Sequence, residues 1–173
     1  SMGLGVEVIR SDIQEEYPPK LEHHHIPDFL ALQKAESLKD YVKPGTLLIT
    51  ADTIVWHNAK VMEKPTDAQE AFNTLRALSG RQHEVITSVC FTAPGQQVVK
   101  HSTTRVKFAP LTEQMIQDYI DSGQAMDKAG AYGIQDWIGL VGVESIAGSY
   151  TNVVGLPTEL VYKTLRELAE SNI

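Results

Sequence analysis

Residues 83–109 constrain the fold more than any other stretch of this chain. HEVITSVCFTA, the pair Pro94-Gly95 and QQVVKHSTTRVKFA read as two long runs rich in β-branched residues, joined by a tight turn. β-Branched side chains suit a pleated surface, and Pro and Gly supply the dihedral angles that a turn demands. A long antiparallel hairpin is predicted. Such a hairpin is marginal alone and needs further strands or helices against its apolar face.

The rest of the chain supplies both. LGVEVIR (4–10) has a strand pattern, and SDIQEEYPPKLEHHH (11–25) is an acidic, then Pro- and His-rich loop. Residues 26–42 carry Phe29, Leu30, Ala35, Leu38 and Val42 near helical spacing, with Pro27 suited to a first turn. TLLITAD (46–52) is apolar throughout and predicts a central strand ending at Asp52. TIVWHNAKVME (53–63) predicts a hairpin turning at His57-Asn58. In TDAQEAFNTLRALSG (66–80), Thr66 and Gln69 read as a capping box, Ala71, Phe72, Leu75 and Leu78 as the buried stripe, and Gly80 as the stop. Thr112 caps a short helix carrying Met115, Ile116, Tyr119 and Ile120, and Gly123 closes it. Residues 126–157 are Gly-rich, with short strands expected. Leu156-Pro157-Thr158 opens a last helix bearing Leu160, Val161, Leu165 and Leu168. The fold class expected is α/β, a mixed central sheet flanked by helices, with a smaller lobe and a cleft between. No linker divides the chain, so residues 1–173 form one domain, and Ser1-Met2 resembles a cloning remnant.

Charge and cysteine content narrow the function. The net charge is -7, which disfavours a general nucleic-acid binder, since that role needs a basic face. No stretch is apolar enough to span a membrane. The single cysteine, Cys90, rules out an internal disulfide and reads as a buried small hydrophobe, compatible with a cytoplasmic protein.

The question of chemistry begins at Asp52. Its plain reading is a turn residue; the other is a buried carboxylate held by cations or a metal. Lys34 on the first helix, Lys64 before Pro65 and Lys128 in MDKAGAYGIQ are candidate phosphate ligands, against a plain reading as solvated surface groups. Asp12, Glu15, Glu16, Asp52 and Asp127 come from separate segments, as a magnesium and polyphosphate site requires, although SDIQEE also reads as a solvated loop. His23, His24 and His25 are adjacent, and neighbouring side chains in a loop converge poorly on one ion. Gln135 pairs a donor with an acceptor and could read a base edge. Tyr132 and Trp137 are stacking candidates whose plain reading is packing. Neither G-x-x-x-x-G-K-[ST] nor G-x-G-x-x-G is present.

ADTIV, EKP, AFNTLRALSGRQHEVITSV, DKAGAYGIQ and GSYTNVVGLP, in unbroken order from residue 4 to 165, resemble the Maf family of nucleotide pyrophosphatases. The resemblance implies an architecture related to the inosine triphosphate pyrophosphatase fold and a cytoplasmic homodimer. It implies hydrolysis of a nucleoside triphosphate to monophosphate and pyrophosphate with Mg2+ or Mn2+. Asp52 matches the family's catalytic base, and Glu15 its acidic loop, so that Glu15 and Asp52 would hold the metal. Lys34 and Lys64 match the lysines of its K-A and G-K-P motifs, with Glu63 in place of the glycine. Thr53 and Gln135 match the positions marking the subgroup that acts on dTTP and UTP. Arg81 and His83 match S-G-R-x-H, expected to be structural or cleft-lining. The family's opening strand and Ser-x-Ser-Pro-Arg-Arg loop have no counterpart here, since Leu4-Gly5 matches the Leu-Gly that follows them. A true deletion of that segment would expose a sheet edge and abolish activity. The alternative reading is a non-catalytic nucleotide-binding regulator of cell division, suggested by the family's association with septum formation.

Overall fold

The computed structural model describes residues 2–171; Ser1 lies outside them. Its elements, in chain order, are α1 (His25–Ser37), β1 (Leu48–His57), β2 (Lys60–Val61), α2 (Ala68–Leu78), β3 (Gln82–Ala93) and β4 (Gln96–Phe108). There follow α3 (Glu113–Asp121), α4 (Trp137–Gly142), β5 (Val143–Ala147), α5 (Tyr150–Val154) and α6 (Thr158–Ser171). The α/β class, with helices flanking a central sheet, is as expected. The sheet order is β2-β1-β3-β4-β5. Every pairing among the described residues is antiparallel.

The hairpin at 83–109 dominates. β3 and β4 stay in register from Gln82↔Lys107 to Ala93↔Gln96. Because side chains alternate between faces, each cross-strand pair shares a face. Leu48, Ile54, Ile86 and Cys90 therefore meet Ile26, Leu30, Ala31 and Ala35 of α1 on one face. Val89 and Phe91 meet Val161 of α6 on the other. Asn152 of α5 is fully buried on that second face, where Nδ2 donates to Val85 O at 3.1 Å and to Thr104 Oγ1 at 2.9 Å. A separate apolar cluster joins Leu75 and Leu78 of α2 to Ile116, Tyr119 and Ile120 of α3 and Ile138 of α4, and this is the core of the smaller lobe. Burying a leucine of this kind contributes about 1.5–3 kcal/mol.

The structure corrects five local readings. Asp52 does not end a strand: β1 runs on to His57, because Thr53, Ile54 and Val55 keep the alternating β pattern. Nor is β1 fully central. On its outer side β2 pairs only with Trp56 and His57, so the edge from Leu48 to Ile54 has no strand partner among the described residues. The tight turn falls at Asn58-Ala59, both with positive φ, one residue later than expected. The cap of α2 is also one residue later: Asp67 accepts from Glu70 N, while Glu70 reaches back to Thr66 N. Residues 4–10 form no strand, and Val6 and Val8 are exposed. Cys90 is buried, as expected.

Candidate active site

A concavity with polar walls runs along the unpartnered edge of β1, with a volume of about 300 Å³. Glu15, Lys34, Asp52, Thr53, Lys64, Asp127, Lys128 and Gln135 all line it. They come from five separate segments of the fold. α1 lies across one face of β1 and lowers Lys34 onto Asp52. The loop before α1 brings Glu15. Thr53 points to the opposite face, where its hydroxyl lies 2.8 Å from Thr87 Oγ1 and donates to Gly155 O at 3.3 Å. The loop after β2 carries Lys64.

Lys34 organises the charges. Its Nζ lies 2.6 Å from Asp52 Oδ1 and 3.0 Å from Glu15 Oε1. It also donates to Ala51 O at 3.3 Å, a carbonyl on the edge that no strand covers. Lys34 is thus tied to two carboxylates. Burial lowers its pKa, but the charges and hydrogen bonds of Asp52 and Glu15 outweigh burial, and the net shift is upward. Asp52 behaves differently. Burial pushes its carboxyl above the usual range; Lys34 pulls it down, Glu15 pushes it up again, and burial prevails. For Glu15 burial also acts upward, yet the hydrogen bond and charge of Lys34, with Lys64 behind, bring it below its ordinary value. The two carboxylates are therefore pushed apart, a pattern that separates a proton acceptor from a permanently charged ligand.

Two carboxylates converging on one cation make an all-oxygen donor set. That set fits a hard divalent ion such as magnesium, which binds through one or two carboxylates and keeps several other positions for substrate. Glu15 and Asp52 would hold it.

A second charged group closes the far wall. Lys128 Nζ lies 3.1 Å from Asp136 Oδ2, which also accepts from Tyr119 Oη at 2.7 Å. Asp136 was not singled out from the sequence; its position just before α4 reads as an ordinary cap. Gly130, in the turn between these groups, has φ of +69°, and a Cβ there would stand 2.8 Å from Val55 Cγ2. Tyr132 is buried at the base of the cleft, with Oη 2.6 Å from His83 Nε2. His83 itself is buried behind it and does not line the cleft, nor does Arg81. Asp12 and Glu16 are exposed outside it. Trp137 is largely exposed, neither in the cleft nor packed in the core. Glu63 turns away from the cleft and accepts from Tyr17 Oη at 2.8 Å.

The chain is similar to proteins of known class. A family model described as Maf-like protein matches residues 1–168. A dTTP/UTP pyrophosphatase of Bacteroides fragilis is 50% identical over 169 residues, covering 96% of this chain and 88% of that protein. A dTTP/UTP pyrophosphatase of Christiangramia forsetii is 48% identical over 168 residues, 97% of this chain and 86% of that protein. One from Flavobacterium johnsoniae is 44% identical over 167 residues, with 96% and 86% covered.

Proposed function

The chain belongs to the Maf family, and from that premise we propose that it hydrolyses dTTP and UTP to the monophosphate and pyrophosphate. The observation that carries this reading is the cleft on β1, where a buried carboxylate, a charged carboxylate and three lysines meet in one concavity. The proposed roles follow from that arrangement. Asp52, raised by burial, takes the proton of the attacking water. That water cleaves the anhydride between the α and β phosphates. Lys64 and Lys128 face the phosphates, and Lys34 holds Asp52 and Glu15 in place while offering charge to the same oxygens. Gln135, exposed at the mouth, and Thr53 meet the pyrimidine end of the substrate. Magnesium or manganese, held by Glu15 and Asp52, neutralises phosphate charge when bound.

Pyrophosphate release from a panel of nucleoside triphosphates with magnesium tests the reading. dTTP and UTP are expected to turn over faster than the purine triphosphates. Tight binding of dTTP without any release of pyrophosphate would instead leave a nucleotide-binding regulator.

The same reading includes a single domain acting as a homodimer in the cytoplasm, where its substrates are made. Trp137, Leu140 and Val141 of α4 and Ile146 of β5 are exposed apolar side chains at the β5 end of the sheet, and they support such an interface. Sedimentation at micromolar concentration is expected to give a dimer; a monomer there would remove this part of the proposal. Neither nucleic acid nor membrane enters it: the chain is acidic, and among the described residues no helix is long and apolar enough to cross a bilayer.

A further inference from the structure

Of the chain's six histidines, His57 and His83 are buried, and the other four gather on one surface at the start of α1. The register of the sheet explains the gathering. Ser88 of β3 stands opposite His101 of β4, on the face that α1 covers. The first turn of α1 drops Asp28 onto Ser88, whose hydroxyl donates to Asp28 Oδ1 at 2.5 Å. The other oxygen, Oδ2, then faces His24 Nδ1 at 3.0 Å. The rings of His24 and His101 stack with centroids 4.1 Å apart and 9° between their planes. One ligand atom each from His24, Asp28 and His101 lies within 4.8 Å of the others, and among the described residues no other trio of His, Cys, Asp or Glu meets that condition.

We propose that His24, Asp28 and His101 bind a divalent transition metal of the zinc class, tying the start of α1 to β4. Two imidazoles and a carboxylate, with water in the fourth position, make a tetrahedral set of nitrogen and oxygen donors. Bonds of about 2.0–2.2 Å set tetrahedral donors roughly 3.4 Å apart, and His24 Nδ1 and Asp28 Oδ2 already stand at 3.0 Å. His101 is exposed, so its ring can turn to meet the ion without disturbing the core. Ser88 already fixes the carboxylate from behind, the kind of support that orients a metal ligand. Burial, with the neighbouring His24, holds His101 below its ordinary pKa, which favours the neutral form that ligates. A helix N-terminus disfavours a cation, and Asp28 in the first turn supplies the opposing charge. The site is separate from the cleft. His101 and Asp52 both stand opposite Ser88, on its two neighbouring strands, and so lie two inter-strand spacings apart, about 10 Å. The cleft offers carboxylates to a hard ion, whereas this site offers imidazoles.

Isothermal titration of the full chain with zinc chloride, in excess magnesium to occupy oxygen ligands, tests the proposal. One equivalent of zinc is expected. His101→Gln and Asp28→Asn should each weaken it by at least about tenfold, as removal of even a supporting group around a metal does, while His25→Gln and Asp52→Asn keep it. His101→Gln carries the test should Asp28→Asn fail to fold, because His101 lies on the surface. Undiminished affinity in His101→Gln would mean that the adjacent histidines of the loop bind zinc unaided. Loss of the equivalent in Asp52→Asn would place the ion in the cleft. Either result, or no zinc bound by the unaltered chain, overturns the site.

Discussion

Asp52→Asn is expected to lower the rate of pyrophosphate release by about 10²–10⁴-fold, the range over which a positioned general base contributes. Asparagine preserves the shape of the side chain but accepts no proton. The expected loss is in kcat, because the base acts as the water attacks. Folding should survive. Removing one partner of a buried ion pair is strongly destabilising when the other charge is left alone. Lys34 is not left alone: Glu15 remains at 3.0 Å, and Lys34 keeps some access to solvent. The burial that raises the Asp52 pKa also means that its charge is a strain on the folded chain. Urea unfolding should therefore place the variant within about 2 kcal/mol of the parent, well short of the loss for an orphaned buried charge. The pH profile gives an independent check. A base with a raised pKa is protonated at low pH, so kcat/KM should rise as pH increases through that value, and the rise should vanish in the variant. A variant that kept its rate within about tenfold would remove Asp52 from the role of base.

How far the sequence foretold this site depends on the kind of signal. The hairpin at 83–109 was legible because period-two patterning and a Pro-Gly turn are local properties. So were the caps of α3 and the stripes of α2 and α6. The position of Asp52 was not. A polar residue at the end of an apolar run looks like a terminus, yet the residues after it keep the strand going, and a lysine on the overlying helix stabilises the carboxylate. The grouping of Glu15, Lys34, Asp52, Thr53, Lys64 and Gln135 in one cleft was legible only through the order of the motifs, since nothing local in EKP or GIQ says what it faces. The trio of His24, Asp28 and His101 had no such guide. His101 looks like one polar residue among several on a strand, and only the β3–β4 register sets it opposite Ser88 and beneath α1. Residues 4–10 show the reverse failure: their alternation fits a strand, but a strand is defined by a partner, and sequence patterning does not supply one.

The same dependence on tertiary surroundings makes His83 the main acid-sensitive group of the core. It is 2% exposed, and its pKa is lowered from 6.5 to about 3, first by burial and then by the nearby charge of His57. Nε2 already faces Tyr132 Oη, and Nδ1 has no partner among the described residues. Adding a proton would place a charge and an unpaired donor in the core. The sign follows from linkage. In the unfolded chain His83 takes its proton near pH 6.5, while the folded chain refuses it until about pH 3. Stability from this group is therefore complete above pH 6.5 and is lost progressively as the pH falls toward 3, by on the order of 5 kcal/mol over the whole window. His83→Gln keeps a polar side chain opposite Tyr132 but does not titrate. Urea unfolding of both chains between pH 7 and 5 avoids most carboxylate titration. Below pH 6 the parent should lose stability faster than the variant, by up to about 1.4 kcal/mol per pH unit, the slope of one proton. The other histidines are the same in both chains and cancel in the difference. Parallel curves would mean that His83 accepts its proton in the folded state. The pocket behind Tyr132 would then have to admit a charged imidazole, and the floor of the cleft would itself respond to pH.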